Sequence, residues 1–335
     1  MIVKITVSLI PVFLFLILLL YLDSFRLVNQ KILMLCIAWG IISALLSFVI
    51  NTFLIRYFSM NFDTYSGFIA PLVEEFLKIF ILLVLIRKNK IGFMIDAAIY
   101  GFAIGSAFSV LENLFYLFHF SGSESNLMVW ITRGFGTALM HGGTVAIFGI
   151  LTMSALNRQT NVTVSILLGT SIAVFIHGLY NQFLISPLIS TLLIVIIIPV
   201  TISLIFQSNE KSIRKWLEME FDSEVKLLGM IRKGKFIETR SGTFLVSIKE
   251  HFPAEIVFDI YCFISLYLEL SIKAKSLLML KENDLPVNAD PETPAKLREL
   301  QNLRKNIGKA GFLAILPILR MNRKDLWKIS LLEKN

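Results

Sequence analysis

Three glutamates, two histidines and an asparagine stand in stretches of sequence that are otherwise apolar: Glu74, Glu75, Glu112, His141, His177 and Asn181. Carboxylates and imidazoles move protons, and an asparagine N–H can meet negative charge developing on a carbonyl oxygen. Placing a charged side chain at mid-membrane costs about 2.5–3.5 kcal/mol on insertion scales, so such residues point to function. Glu74 and Glu75 are adjacent, hence about 100° apart around a helix, and one can face a cavity while the other pairs elsewhere. Lys78 follows at i+4 and i+3 and reaches both. Two close carboxylates in a low dielectric cannot both ionise cheaply, which suits one of them to proton transfer. An ion pair that braces a helix bundle would use the same residues.

The spacing places further polar groups on shared faces. Gly101, Gly105, Phe108, Glu112 and Tyr116 form one stripe, with Asn113 beside it. Small residues there let a neighbouring helix approach closely. Arg133, Thr137 and His141 recur at every fourth position, and His177 and Asn181 repeat that interval. Arg133 suits either a headgroup contact or a supporting role beside the site. Asp96 lies near Lys88 and Lys90 and reads as a pairing residue, and His251 as an ordinary surface or packing residue.

The elements that must position these side chains follow from hydropathy. The chain is 56% hydrophobic, with a mean hydropathy of +0.73. Residues 1–206 hold only 10 of the 32 Lys and Arg and 7 of the 24 Asp and Glu. The expected architecture is therefore an all-α polytopic membrane protein, with a transmembrane domain over 1–206. A small mixed or mainly α cytoplasmic domain follows over 207–335. About seven spans fit, at about 4–22, 32–55, 67–87, 91–119, 127–154, 162–184 and 187–206. Arg26 and Lys31, the run from Arg87 to Lys90, Arg158, and Lys211 to Lys215 fall on alternate connections. The loops between them carry Asp63 and Glu124. The positive-inside rule then sets the N-terminus outside and the tail in the cytoplasm. Its first segment reads as a retained anchor.

Counting about 1.5 Å per residue puts Glu74, Glu112 and His177 roughly 9–12 Å below the outer surface. Asn181 comes out at roughly 6 Å and His141 at roughly 20 Å on the same scale. In the tail, Ser212 to Phe221 is amphipathic, Thr243 to Ile248 reads as a short strand, and Thr293-Pro294 opens a helix that Gly308 ends. The excess of basic residues suits a domain beside anionic lipid, and nucleic acid is not expected as a partner. Cys36 and Cys262 lie in different parts and imply no disulfide framework.

Taken in order, Pro71-x-x-Glu74-Glu75-x-x-Lys78, the Gly101-to-Tyr116 stripe with Glu112-Asn113, Arg133 with His141, and His177-Gly178-x-x-Asn181 resemble the PrsW family. These are bacterial intramembrane peptidases that cleave anti-sigma factors, related to the CAAX prenyl proteases. The resemblance covers about residues 67–185. It implies a multi-pass protein of the bacterial cell membrane that cuts a single-pass membrane protein substrate near its extracytoplasmic boundary. By likeness to the CAAX relatives, Glu74 is the general base, Glu75 its modulator, and His177 and Asn181 the oxyanion donors. Lys78, Asn113, Tyr116 and Arg133 stand in support. Those relatives have a histidine where this chain has Glu112, so either His141 replaces it or Glu112 acts as a second acid or base. No cofactor is favoured on this reading. A zinc-dependent peptidase holding its metal on His141, His177 and Glu112 is the nearest alternative, since two histidines and a carboxylate leave a position for water. A proton-coupled transporter is the alternative of another class, although no internal repeat is visible.

Overall fold

The computed structural model describes residues 2–120, 127–182, 184, 186–286, 290–319 and 332, so Glu124 lies outside the described residues. The chain forms two units, Met1–Asn209 and Glu210–Asn335. In the first unit the helices are α1 (Ile2–Tyr21), α2 (Gln30–Phe58), α3 (Ala70–Arg87), α4 (Met94–Phe120), α5 (Leu127–Asn157) and α6 (Val162–Asn181). The next helix, α7, runs unbroken over Pro187–Arg232. The amphipathic segment from Ser212 to Phe221 is therefore a continuation of the last apolar helix.

Six of these helices are long and apolar enough to cross a membrane. The expected span at 67–87 forms α3, but its 18 residues carry Glu74, Glu75, Lys78 and Arg87, and it is not among the six. Local chemistry sets the ends. The side chains of Asn29 and Asn161 accept the N–H groups of Ile32 and Val164 and cap α2 and α6. Pro71 lies in the first turn of α3, where its missing N–H costs nothing. Asp96 accepts the N–H groups of Gly92, Phe93 and Ala97 at the start of α4. The structural role expected for it is therefore met by backbone amides at the helix start, which need acceptors.

α4 and α5 are the central helices, with 83% and 78% of their apolar windows buried, against 17–33% for the other four. Their close approach depends on the glycine stripe. A Cβ on Gly105 would collide with the carbonyl of His141, and one on Gly101 would lie 2.6 Å from the carbonyl of Val145. Two π-helical turns interrupt the regular winding, Tyr65–Ile69 before α3 and Thr132–Thr137 within α5. Such widened turns often mark functional sites.

In the second unit the described residues after α7 form α8 (Arg240–Ile248), α9 (Ala254–Glu282) and α10 (Thr293–Leu319). Thr243 to Ile248 is helical, which corrects the expected strand. Thr239 caps that helix by accepting the N–H of Gly242, and Leu245 packs into the core. Those contacts override the β-leaning composition of the segment. α10 begins at Thr293 as expected, but at Gly308, with φ 69°, it kinks and continues to Leu319. The core of this unit gathers Ile260, Phe263, Tyr267, Leu300 and Ile315. Cys36 and Cys262 are both free.

Candidate active site

The polar residues of α3, α4, α5 and α6 meet in one cluster. Lys78 and Glu75 are fully buried and bonded, Nζ to Oε1 at 2.6 Å. The Lys78 ammonium also donates to Nδ1 of His141 at 2.7 Å and lies 4.3 Å from the centre of the Phe108 ring. The spacing alone left Lys78 within reach of either glutamate, and in the structure it bonds Glu75 and His141. Glu75 in turn holds Nδ1 of His177 at 2.8 Å through Oε1, and the Thr144 hydroxyl lies 3.2 Å from its Oε2.

Around this buried centre stand two glutamate–histidine pairs. Nε2 of His141 is 3.0 Å from Oε2 of Glu112, and Nε2 of His177 is 3.7 Å from Oε2 of Glu74. The imidazoles meet edge to face with centroids 4.6 Å apart. Both rings are buried, whereas the Glu74 and Glu112 side chains keep 15% and 27% exposure. The carboxylates therefore form the open side and the imidazoles the closed side. Donor rules then orient the rings. An ammonium has no acceptor, so Nδ1 of His141 accepts from Lys78 and its proton sits on Nε2, facing Glu112. The Glu75 carboxylate is an acceptor already paired with Lys78, so Nδ1 of His177 carries the proton and its Nε2 lone pair faces Glu74.

The outer partners of the cluster also come from several helices. Arg133 forms an ion pair with Glu112 at 3.2 Å, donates through Nε to Asn113 at 3.1 Å, and lies 3.8 Å from the centre of the Tyr116 ring. Asn181 spends one amide N–H on the carbonyl of Ser66 at 3.1 Å, in the first π turn. A side-chain amide has two N–H donors, so one remains for other use. The His141 backbone packs against Gly105, two turns of α4 away from Glu112, so its ring reaches Glu112 along the bundle from a lower level.

Three residues outside the sequence motifs also reach the site. Asn51 donates to Glu74, Tyr65 donates to Asn51, and Thr144 faces Glu75. A lone asparagine within an apolar span was the available signal for Asn51, since such a group needs a partner in hydrocarbon. Thr144 lies one turn beyond His141.

Glu74, His141 and His177 each offer a ligand atom within 4.8 Å of the other two, a donor set suited in type and spacing to a divalent metal. The sequence pointed to Glu112 in place of Glu74. His177 fits this use well, since a carboxylate on the remote nitrogen is the usual support of a metal-bound imidazole. His141 would have to give up the Lys78 contact, because its only lone pair is directed at that ammonium.

A bundle of apolar helices that encloses carboxylates, imidazoles and amide donors, with the carboxylates on its more exposed side, has the groups for proton transfer within a membrane. The model of the PrsW family intramembrane metalloproteases matches residues 29–205, more than half of the chain, and the chain belongs to that family of intramembrane proteases. No curated protein and no solved structure is similar enough to match it.

Proposed function

We propose that the chain is an intramembrane endopeptidase in which Glu74 activates water for attack on a substrate peptide bond. The observation that carries this reading is the disposition of Glu74 Oε2 and His177 Nε2, 3.7 Å apart and both acceptors. That separation is too long for a direct hydrogen bond and suits a shared water. A water donating one hydrogen to each acceptor turns a lone pair outward, toward the carbonyl carbon. Glu74 takes the proton as the C–O bond forms and returns it to the amine nitrogen as the C–N bond breaks. The Nε2–H of His141 and the second N–H of Asn181 are the available donors for the oxyanion. The resemblance suggested an oxyanion role for His177 too, but its neutral ring has no N–H on that side, so it assists the base instead.

The substrate we infer is a single-pass membrane protein resembling an anti-sigma factor, cut near its extracytoplasmic boundary in a bacterial membrane. In this orientation the N-terminus is outside and the second unit cytoplasmic. The charge distribution across the connections supports it.

The second reading is favoured by the Glu74, His141 and His177 donor set and by the family description. A divalent ion held by those residues would acidify a bound water and polarise the carbonyl. Under it, Lys78 would have to release Nδ1 of His141, whose Nε2–H could stay on Glu112. Metal analysis of the purified protein, with cleavage measured before and after chelation, separates the two. The expected result is undiminished cleavage after chelation together with total loss in Glu74→Gln. Stoichiometric zinc with chelator-sensitive cleavage would establish the metal reading.

A further inference from the structure

Among the described residues no lysine or arginine forms an ion pair with Glu74, yet its orientation decides where the attacking water sits. Two neutral side chains fix that orientation. Asn51, near the C-terminal end of α2, donates Nδ2 to Oε1 of Glu74 at 3.2 Å. The hydroxyl of Tyr65 donates to Oδ1 of the same amide at 2.9 Å. Tyr65 is the first residue of the π turn that leads into α3, and it is 2% exposed. The two bonds divide the labour. An amide can rotate by 180° and present either its oxygen or its nitrogen to a neighbour. A hydroxyl on Oδ1 leaves Nδ2 as the group that faces Glu74. With Oε1 so occupied, Oε2 is the oxygen turned to His177.

The same π turn is held from its other side. Asn181 donates to the carbonyl of Ser66, and the absence of a side chain on Gly178 lets α6 lie against the Gly67 carbonyl, which a Cβ would meet at 2.7 Å. Tyr65 is thus placed by α6 and reads out on α2. We propose that Tyr65 and Asn51 form a positioning relay that holds the Glu74 carboxylate in the orientation needed to activate water. Asn51 acts on Glu74, and Tyr65 acts only through Asn51.

The inference rests on the reading of Glu74 as general base, and the test separates the two. The detergent-solubilised full chain is assayed with a quenched-fluorescent single-span peptide that the wild type cleaves. Tyr65→Phe, Asn51→Ala, the double variant and Glu74→Gln are compared. Asn51→Ala should lower kcat about 10- to 100-fold, as loss of a hydrogen bond to a charged group does, with KM within about twofold. Tyr65→Phe removes one oxygen atom and should lower kcat about 3- to 10-fold. The double variant should match Asn51→Ala alone, because contacts in one chain are not additive. Wild-type kcat in Tyr65→Phe, or a double variant whose loss is the product of the two single losses, overturns the relay while a dead Glu74→Gln leaves the base assignment standing. Activity in Glu74→Gln overturns both. If Asn51→Ala fails to fold, Tyr65→Phe decides alone, with unchanged kcat as the refuting result.

Discussion

Among the described residues, each unit fully buries a lysine paired with at least one glutamate, and the two networks differ in what surrounds the charge. In the first unit Lys78 bonds Glu75 at 2.6 Å and reaches His141. In the second, Lys275 of α9 pairs with Glu220 at 3.1 Å and Glu224 at 3.0 Å, the latter also accepting from the Ser271 hydroxyl. Trp216 lies beside that ammonium, with its ring centre 5.2 Å away. Lys275 ties its helix to acidic groups whose oxygens are satisfied locally. Lys78 instead orients one imidazole directly and another through Glu75, and beyond them stand two partly exposed carboxylates. A buried ion pair alone is therefore a brace. What distinguishes a site is that the pair passes its order outward to lone pairs and N–H groups facing an opening.

The sharpest test of that contrast is to neutralise both lysines. Lys78→Met leaves Glu75 buried and short of its cation, an arrangement that costs about 3–5 kcal/mol when one partner of a buried pair is removed. It should also abolish cleavage in whatever fraction remains folded, because His141 loses the donor that fixes its tautomer and Glu75 loses the cation that holds it against His177. Thermal unfolding and turnover per folded molecule measure the two effects. Turnover near the wild-type value in folded Lys78→Met would reduce this network to a brace like the other.

Next in size is Asn181→Ala. The lost donor should lower kcat by about 10²–10³-fold, as removal of one oxyanion-hole donor does. Asn181 also holds the Ser66 carbonyl, and Asn181→Asp removes that bond and the free N–H together while keeping the shape of the side chain. A carboxylate there offers no N–H to an oxyanion and should be as inactive as alanine. Substantial activity in Asn181→Asp would remove Asn181 from the chemistry.

How much of this was legible beforehand follows the same division. The helices of the first unit follow from runs of apolar residues, and Glu74, Glu75, Glu112, His141 and His177 stand out because charge in such runs is expensive. The i, i+3 spacing anticipated the bond between Lys78 and Glu75, a contact within one helix. Contacts between helices were not legible. Nothing in the spacing says that Asn51 of α2 meets Glu74, or that Tyr65 meets Asn51, since neutral side chains carry no motif and their partners depend on packing. The second unit was harder to read for another reason. Thr243 to Ile248 has the composition of a strand, and its helical state depends on the Thr239 cap and on where Leu245 is buried.

A smaller effect is expected from Lys275→Met. Glu220 and Glu224 keep 34% and 13% exposure, so water can partly solvate them once the cation is gone. The loss should fall below the 3–5 kcal/mol typical of fully buried pairs, at about 1–3 kcal/mol. Turnover per folded molecule should stay at the wild-type level. A kcat defect in this variant would mean that the second unit acts on the chemistry, and the contrast between the two lysines would fail.

The smallest effect belongs to an ion pair near the surface, Lys273 with Asp290. The Lys273 side chain bonded to Asp290 holds that carboxyl below its ordinary value of 3.8, at about 2, helped by the backbone N–H of Glu292. A carboxyl whose folded value is depressed contributes stability above its unfolded value and loses that contribution as pH falls toward the folded one. The contribution is thus present at neutral pH and disappears between about pH 4 and pH 2. Both side chains are about one-third exposed, so solvent and salt screen the attraction. Asp290→Asn should lower the Tm of the full chain at pH 7 by less than Lys275→Met does. The gap between Asp290→Asn and wild type should close as the pH is brought down to 2. A Tm gap as large as that of Lys275→Met, or one that persists at pH 2, would show that exposure does not set the worth of these lysine pairs.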